Sequence, residues 1–189
     1  MFVSIVIMSV ILVLCALYVM ATYNKFVTLR NATKEAWSDI EIQLKRRYDL
    51  IPNLINTVKG YMQHESGTLE KVVQARATAM NSSGQMKEMS HNESALSSTL
   101  KSIFALAENY PELKANTNFL ELQRELRDTE DKIQASRRFY NGNVLVLNTK
   151  IEQFPSNIVA SMFSFEKKDF FELDEAEKEV AKNPVKVEF

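Results

Sequence analysis

Glycine and proline are scarce in this chain of 189 residues, with four of each, against the roughly 12% of positions that average usage would give them. A sandwich, barrel or doubly wound sheet needs a loop about every 8–12 residues, built largely from these two residues. Their shortage excludes such folds and marks the chain as all-α. A single cysteine, Cys15, excludes an internal disulfide framework and any multi-cysteine zinc or iron–sulfur centre. Histidine is nearly as rare. His64 is followed by Glu65, but Thr68 occupies the position where a helix-borne metal pair would need its second histidine, and His91 stands in a polar stretch. His64 and Glu65 therefore read as a cap at a helix break framed by Gly60 and Gly67. No Ser/His/Asp set, phosphate loop or paired catalytic carboxylates can be assembled, so neither an enzyme nor a cofactor is expected. With a formal net charge of −1, the bulk electrostatic argument for nucleic acid is absent as well.

What is present begins with a long apolar run. From Phe2 to Thr22 there is no charge, Gly or Pro, enough α-helix at about 1.5 Å per residue to cross a hydrocarbon core of about 30 Å. The run lacks a basic n-region and is longer than a signal peptide's apolar core, and Leu14 before Cys15 does not suit a lipoprotein signal. Residues 1–22 thus read as a transmembrane helix. Lys25, Arg30, Lys34, Lys45, Arg46 and Arg47 all follow it, and the positive-inside rule then places the N-terminus outside and the body in the cytoplasm.

Beyond the span, helices are expected at about 24–62, 64–80, 91–109, 114–153 and 156–163, with a polar linker at 81–93. Residues 23–165 would form the body and 166–189 an acidic tail. Pro111 opens the longest uninterrupted helix, where proline is tolerated, and Pro52 is expected to kink or locally break the first one. Two seven-residue series mark the packing faces. Trp37, Leu44, Ile51 and Val58 are accompanied by Ile40, Arg47, Leu54 and Tyr61. Phe119, Leu126, Ile133, Tyr140, Leu147 and Phe154 are accompanied by Leu122, Thr129, Ser136 and Asn143. Two long helices of matching length with two shorter ones between them give an antiparallel, four-helix-like bundle. In that order the last long helix returns toward the membrane, which brings the aromatic segment after it close to the bilayer or to a neighbouring subunit.

Lys45-Arg46-Arg47 is the densest basic run, but its three side chains fan around the helix and make no single flat patch. Arg47 falls on the apolar seam and needs a carboxylate, for which Glu130, Asp128 and Asp131 are the candidates. Glu130 and Arg137, one heptad apart, suit contacts to adjacent helices or subunits. Six of the eleven phenylalanines lie after residue 150, namely Phe154, Phe163, Phe165, Phe170, Phe171 and Phe189. The first five are candidates for membrane or partner contact, with capping of the bundle's end as the plainer alternative.

The segments AWSDIEIQLKRRYDLIPNLINTVKGYMQHE (36–65), YPELKANTNFLELQRELRDTEDKIQASRRFYNGNV (110–144) and FPSNIVASMFSFEKKDFF (154–171) resemble the LemA family of bacterial membrane proteins. Tyr110 and Glu41 are small departures from the family pattern. The resemblance implies one N-terminal membrane helix, an N-out topology and an antiparallel helical bundle. It carries over no catalytic residues, and the family's function is poorly defined, with a loose association to the cell envelope and membrane proteases. Lys45, Arg46, Arg47, Asp49, Pro52, Asn53, Glu130, Arg137 and Asn141 stand at motif positions as packing and assembly candidates. The expected protein is a non-enzymatic, single-pass scaffold of the bacterial inner membrane. It would form homo-oligomers and organise the bilayer or envelope partners. The alternative is a ligand-sensing bundle on the outer face.

Overall fold

The computed structural model describes residues 2–62, 65–82 and 86–172, and every described element of secondary structure is a helix. These are α1 (Phe2–Lys59), α2 (Ser66–Met80), α3 (Met86–Ala107), α4 (Pro111–Lys114), α5 (Thr117–Glu152) and α6 (Ser156–Met162). The apolar run and the first amphipathic helix are one element, as expected where no glycine or proline intervenes for fifty residues. His64, Gly84 and the end of the tail from 173 lie outside the described residues.

The chain forms two compact units. One comprises Met1–Asp39 with Arg138–Phe170, and the other Ile40–Arg137 with Phe171 and Glu172. In the second unit, α1 and α5 run antiparallel, since Arg46 meets Glu125 near one end and Tyr61 meets Asn116 near the other. Its core collects Ile51, Leu54 and Val58 from α1, Leu69 and Val72 from α2, Leu96, Leu100 and Ile103 from α3, and Phe119 and Leu126 from α5. This is the heptad face of both long helices, closed by the two shorter ones. The first unit has a smaller core of Phe26, Leu29, Leu147, Val159 and Ala160, on which Val19, Ile151 and Phe165 pack.

Three sequence expectations are corrected in detail and one is narrowed. Of the kink or local break expected at Pro52, the break does not occur, since Pro52 lies inside an unbroken α1. Pro111 opens a separate single turn, α4; the chain then breaks at Ala115 and Asn116, and the Asn116 Oδ1 caps α5 by accepting from the Phe119 N–H at 3.1 Å. The polar linker shrinks because α3 starts at Met86, with Ser90 and Glu93 buried on its inner face. Finally, the seven-residue series of α5 stops with the helix at Glu152, so Phe154 falls in the following turn and is 81% exposed.

Candidate functional site

Pro52 explains how one side of the second unit is built. It has no N–H to donate four residues back, which leaves the Tyr48 carbonyl without its usual partner in the helical ladder. Arg76 of α2 takes that place, its Nε donating to the Tyr48 oxygen at 2.8 Å. A proline that removes one bond inside α1 thereby creates an acceptor for a neighbouring helix.

Next to this contact is a buried charge cluster. Arg47 of α1 and Glu93 of α3 are both 0% exposed and form a salt bridge. Arg47 Nη1 also donates to Glu130 of α5 at 2.7 Å and to the Ser97 hydroxyl at 2.9 Å, and Ser97 donates to Glu130 at 3.2 Å. The Tyr48 hydroxyl donates to the second oxygen of Glu93. Two carboxylates and a hydroxyl thus engage both terminal nitrogens of the Arg47 guanidinium, while its buried Nε has no hydrogen-bond partner. Truncating Arg47 would leave Glu93 charged, buried and unpaired, which costs about 3–5 kcal/mol. Burial pushes the Tyr48 hydroxyl above its ordinary pKa, opposed by the positive charges of Arg47, Arg137 and Arg76.

The other basic residues of the run lie toward solvent. Lys45 pairs with Asp49 at 2.9 Å on the outside of α1. Arg46 bridges to Glu125 and, at 3.5 Å, to Asp128. The Asp128 carboxyl is held below the usual carboxylate range, first by its hydrogen bond from Lys132 and then by the charges of Lys132 and Arg46. Of the three carboxylates expected to meet Arg47, the structure brings Glu130, gives Asp128 to Arg46, and adds Glu93, which the sequence reading had placed in the linker. The signal for Glu93 was available. Counting back from Ile103, Leu100 and Leu96 in steps of three and four residues reaches Glu93, then Ser90. Arg137 lies over the ring of Phe171 at 4.3 Å, and Phe171 is buried. The Ser90 hydroxyl donates to the Glu172 carbonyl, so Phe171 and Glu172 of the expected tail are held in this unit.

The first unit is aromatic where the second is charged. Phe165 stacks on Phe26 with centroids 4.8 Å apart, and Phe163 meets Tyr23 edge-on at 4.8 Å. Arg30 sits 5.5 Å above the Phe165 ring. These rings are aimed by the end of α6. Ser164 has φ 54°, Phe165 N–H bonds to the Ala160 carbonyl at 2.9 Å, and Ser164 N–H bonds to the Ser161 carbonyl at 3.3 Å. This is a Schellman termination in which a serine occupies the left-handed position usually held by glycine. The segment after it is tied to α5 by Asn148, which both donates to the Lys168 carbonyl and accepts its N–H, and by the Tyr140 hydroxyl, which donates to the Asp169 carbonyl. Burial, with the Asp169 charge, raises the Tyr140 pKa. Trp37 packs edge-on against Tyr140 at 5.3 Å. Phe170 is partly exposed and Asn141 half-buried on α5.

No group of three or more metal-ligating side chains forms among the described residues. The class of protein these features describe is a helical membrane protein whose first helix contains a stretch long and apolar enough to cross a bilayer.

Comparison with known proteins agrees with this class. The model described as the LemA family matches residues 36–189, and the chain belongs to that family. It is similar to the protein named LemA of Metamycoplasma hominis, with 28% identity over 82% of this chain and 71% of that protein. It is also similar to magnetosome protein MamQ 2 of Paramagnetospirillum magneticum, at 21% identity over 79% of this chain and 64% of that protein. Magnetosome protein MamQ of Magnetospirillum gryphiswaldense matches with the same identity and the same shares. The chain thus spans less than two thirds of the length of these magnetosome relatives.

Proposed function

We propose that this protein is a non-enzymatic scaffold of the bacterial inner membrane that self-assembles and organises the bilayer or envelope partner proteins, membrane proteases among them. The observation that carries the reading is the outer side of α5 in the first unit. Phe139, Leu145 and Val146 are each more than half exposed there, in a helix whose inner side is already filled. Large apolar groups left on the outside of a packed helix suit burial against another protein surface.

The body is assigned to the cytoplasm on the excess of Lys and Arg after the span. Light scattering of the full chain in detergent tests assembly. An oligomer is expected, with Val146→Asp shifting it toward smaller species, and a monodisperse monomer at micromolar concentration would overturn the proposal. Orientation is tested with a membrane-impermeant thiol reagent on a Cys15→Ala, Ser102→Cys variant in intact cells. Labelling from outside would replace the cytoplasmic scaffold with the sensor-like bundle on the outer face.

A further inference from the structure

Within the first unit, α6 is apolar on both sides. Inward, Val159 and Ala160 join Phe26, Leu29 and Leu147 in the core. Outward, Ile158 and Met162, four residues apart, are 55% and 65% exposed, with Phe163 beside them at 44%, and Phe154 in the turn before α6 is 81% exposed. In water, a seven-residue helix and the turn before it have no reason to display three large apolar groups.

The position of α6 along α1 supplies the reason. Phe163 touches Tyr23, the residue immediately after the apolar run, and lines a cleft with Val19, Met20 and Cys15 inside that run. Val19 packs on the cluster that holds Val159 and Ile151. The turn from α5 into α6 is therefore fastened to the last turns of the apolar stretch. Whatever surrounds Val19 and Met20 also borders α6. Around it stand Arg30, over the Phe165 ring, and Lys168, which with Arg30 and Glu166 borders a small recess, two cations to one carboxylate. Apolar groups facing outward with cations just beyond them form the pattern of an element lying in the interfacial layer of a bilayer.

We propose that α6 with Phe154 is an interfacial foot, which rests its Phe154, Ile158, Met162 and Phe163 side chains in the phospholipid headgroup and upper acyl region on the side where α1 leaves the membrane. This rests on the reading of Phe2–Thr22 as the span and adds a second, in-plane attachment to it. The span alone leaves α1 free to tilt and rotate about its own axis. The foot fixes both.

The test uses the full chain in phosphatidylcholine/phosphatidylglycerol vesicles. An environment-sensitive fluorophore is attached in a Cys15→Ala background at Ile158→Cys, at Ser9→Cys within the span, or at Ser102→Cys on the exposed side of α3. Lipids carrying a spin label at carbon 5 of the acyl chain act as quenchers, and iodide serves as the aqueous quencher. The expected result is strong lipid quenching and several-fold protection from iodide at position 158, with position 102 quenched by iodide alone. Iodide quenching at 158 equal to that at 102, while position 9 remains lipid-quenched, would overturn the foot and leave the span intact. Protection from iodide without lipid quenching at 158 would also overturn it, assigning the surface to a second copy of the chain. Absence of lipid quenching at position 9 would overturn the span and the foot together.

Discussion

The two units solve opposite problems with the same two long helices. The second buries charge, with Arg47 and Glu93 fully enclosed and Glu130 joining them. The first buries rings and small apolar side chains and leaves other large apolar groups outside. A buried ion cluster adds little net stability when complete and is costly when broken. Its use is discrimination, because the two terminal nitrogens of Arg47 on α1 meet both carboxylates only when Glu93 of α3 and Glu130 of α5 are in register. The aromatic unit selects its packing by shape instead, through Phe26, Tyr23 and Phe165. On the proposed interfacial foot, lipid would cover the apolar groups that this unit leaves on its outside. The difference teaches that polarity inside and apolarity outside are both departures from the ordinary soluble pattern, each answering to what surrounds that stretch of chain.

The comparison breaks most sharply at Arg47. Arg47→Ala should cost about 3–5 kcal/mol in urea unfolding of the detergent-solubilised chain, since it leaves Glu93 buried without its cation. A joint Arg47→Met, Glu93→Leu variant should recover most of that loss, and if the double variant proved as unstable as the single one, charge would not be the source of the effect. Next in size, Arg76→Met should cost about 1–3 kcal/mol by stranding the Tyr48 carbonyl. The cost should shrink in a Pro52→Ala background, where the restored N–H at position 52 returns that carbonyl to the helical ladder. Additive effects in this double-mutant cycle would show that the proline and the arginine are unrelated.

Each unit also contains one tyrosine with a raised pKa. In the native state these hydroxyls hold their protons to higher pH than in the unfolded chain, where they titrate near 10. The native state then binds more protons above that value, so the stability they contribute is intact below about pH 10 and is lost as pH rises through the native values. Thermal melts should be flat on this account up to about pH 9 and fall beyond 10. Tyr48→Phe and Tyr140→Phe should each reduce the alkaline slope, separating the second unit's contribution from the first. The smallest effect is a gain: Ser164→Gly should stabilise the first unit by about 1 kcal/mol by relieving the left-handed serine. A loss would mean that the serine side chain contributes more than its backbone costs.

Much of this was legible from residue spacing. The seven-residue series marked the faces of α1 and α5, and Leu44, Ile51, Val58, Leu126, Ile133 and Leu147 are all buried. Arg47 was recognisable as a seam charge needing a carboxylate, because periodicity fixes which side of a helix a residue occupies. Its partner Glu93 was not read, because a polar stretch rich in Ser and Asn looks like a loop when propensity is judged alone, and only the packing of α3 makes those positions inward-facing. The consequence of Pro52 was only partly legible for a related reason. A missing helical bond is a defect only when nothing else uses the freed carbonyl, and Arg76 comes from 28 residues away in sequence. Phe171 was a candidate for membrane or partner contact, and the structure places it under Arg137 instead.

Taken by itself, the sequence determined an all-helical chain, an apolar stretch of membrane-crossing length and the inner faces of its two long helices. These follow from composition and period, which act through neighbours a few residues away. The tertiary structure decided which carboxylates surround Arg47, what Pro52 is for, and that α6 lies against the end of the apolar run with its outer side uncovered. Those outcomes depend on contacts between residues far apart in the chain. Such contacts are set by how side chains fill space between helices, and local periodicity carries no record of that.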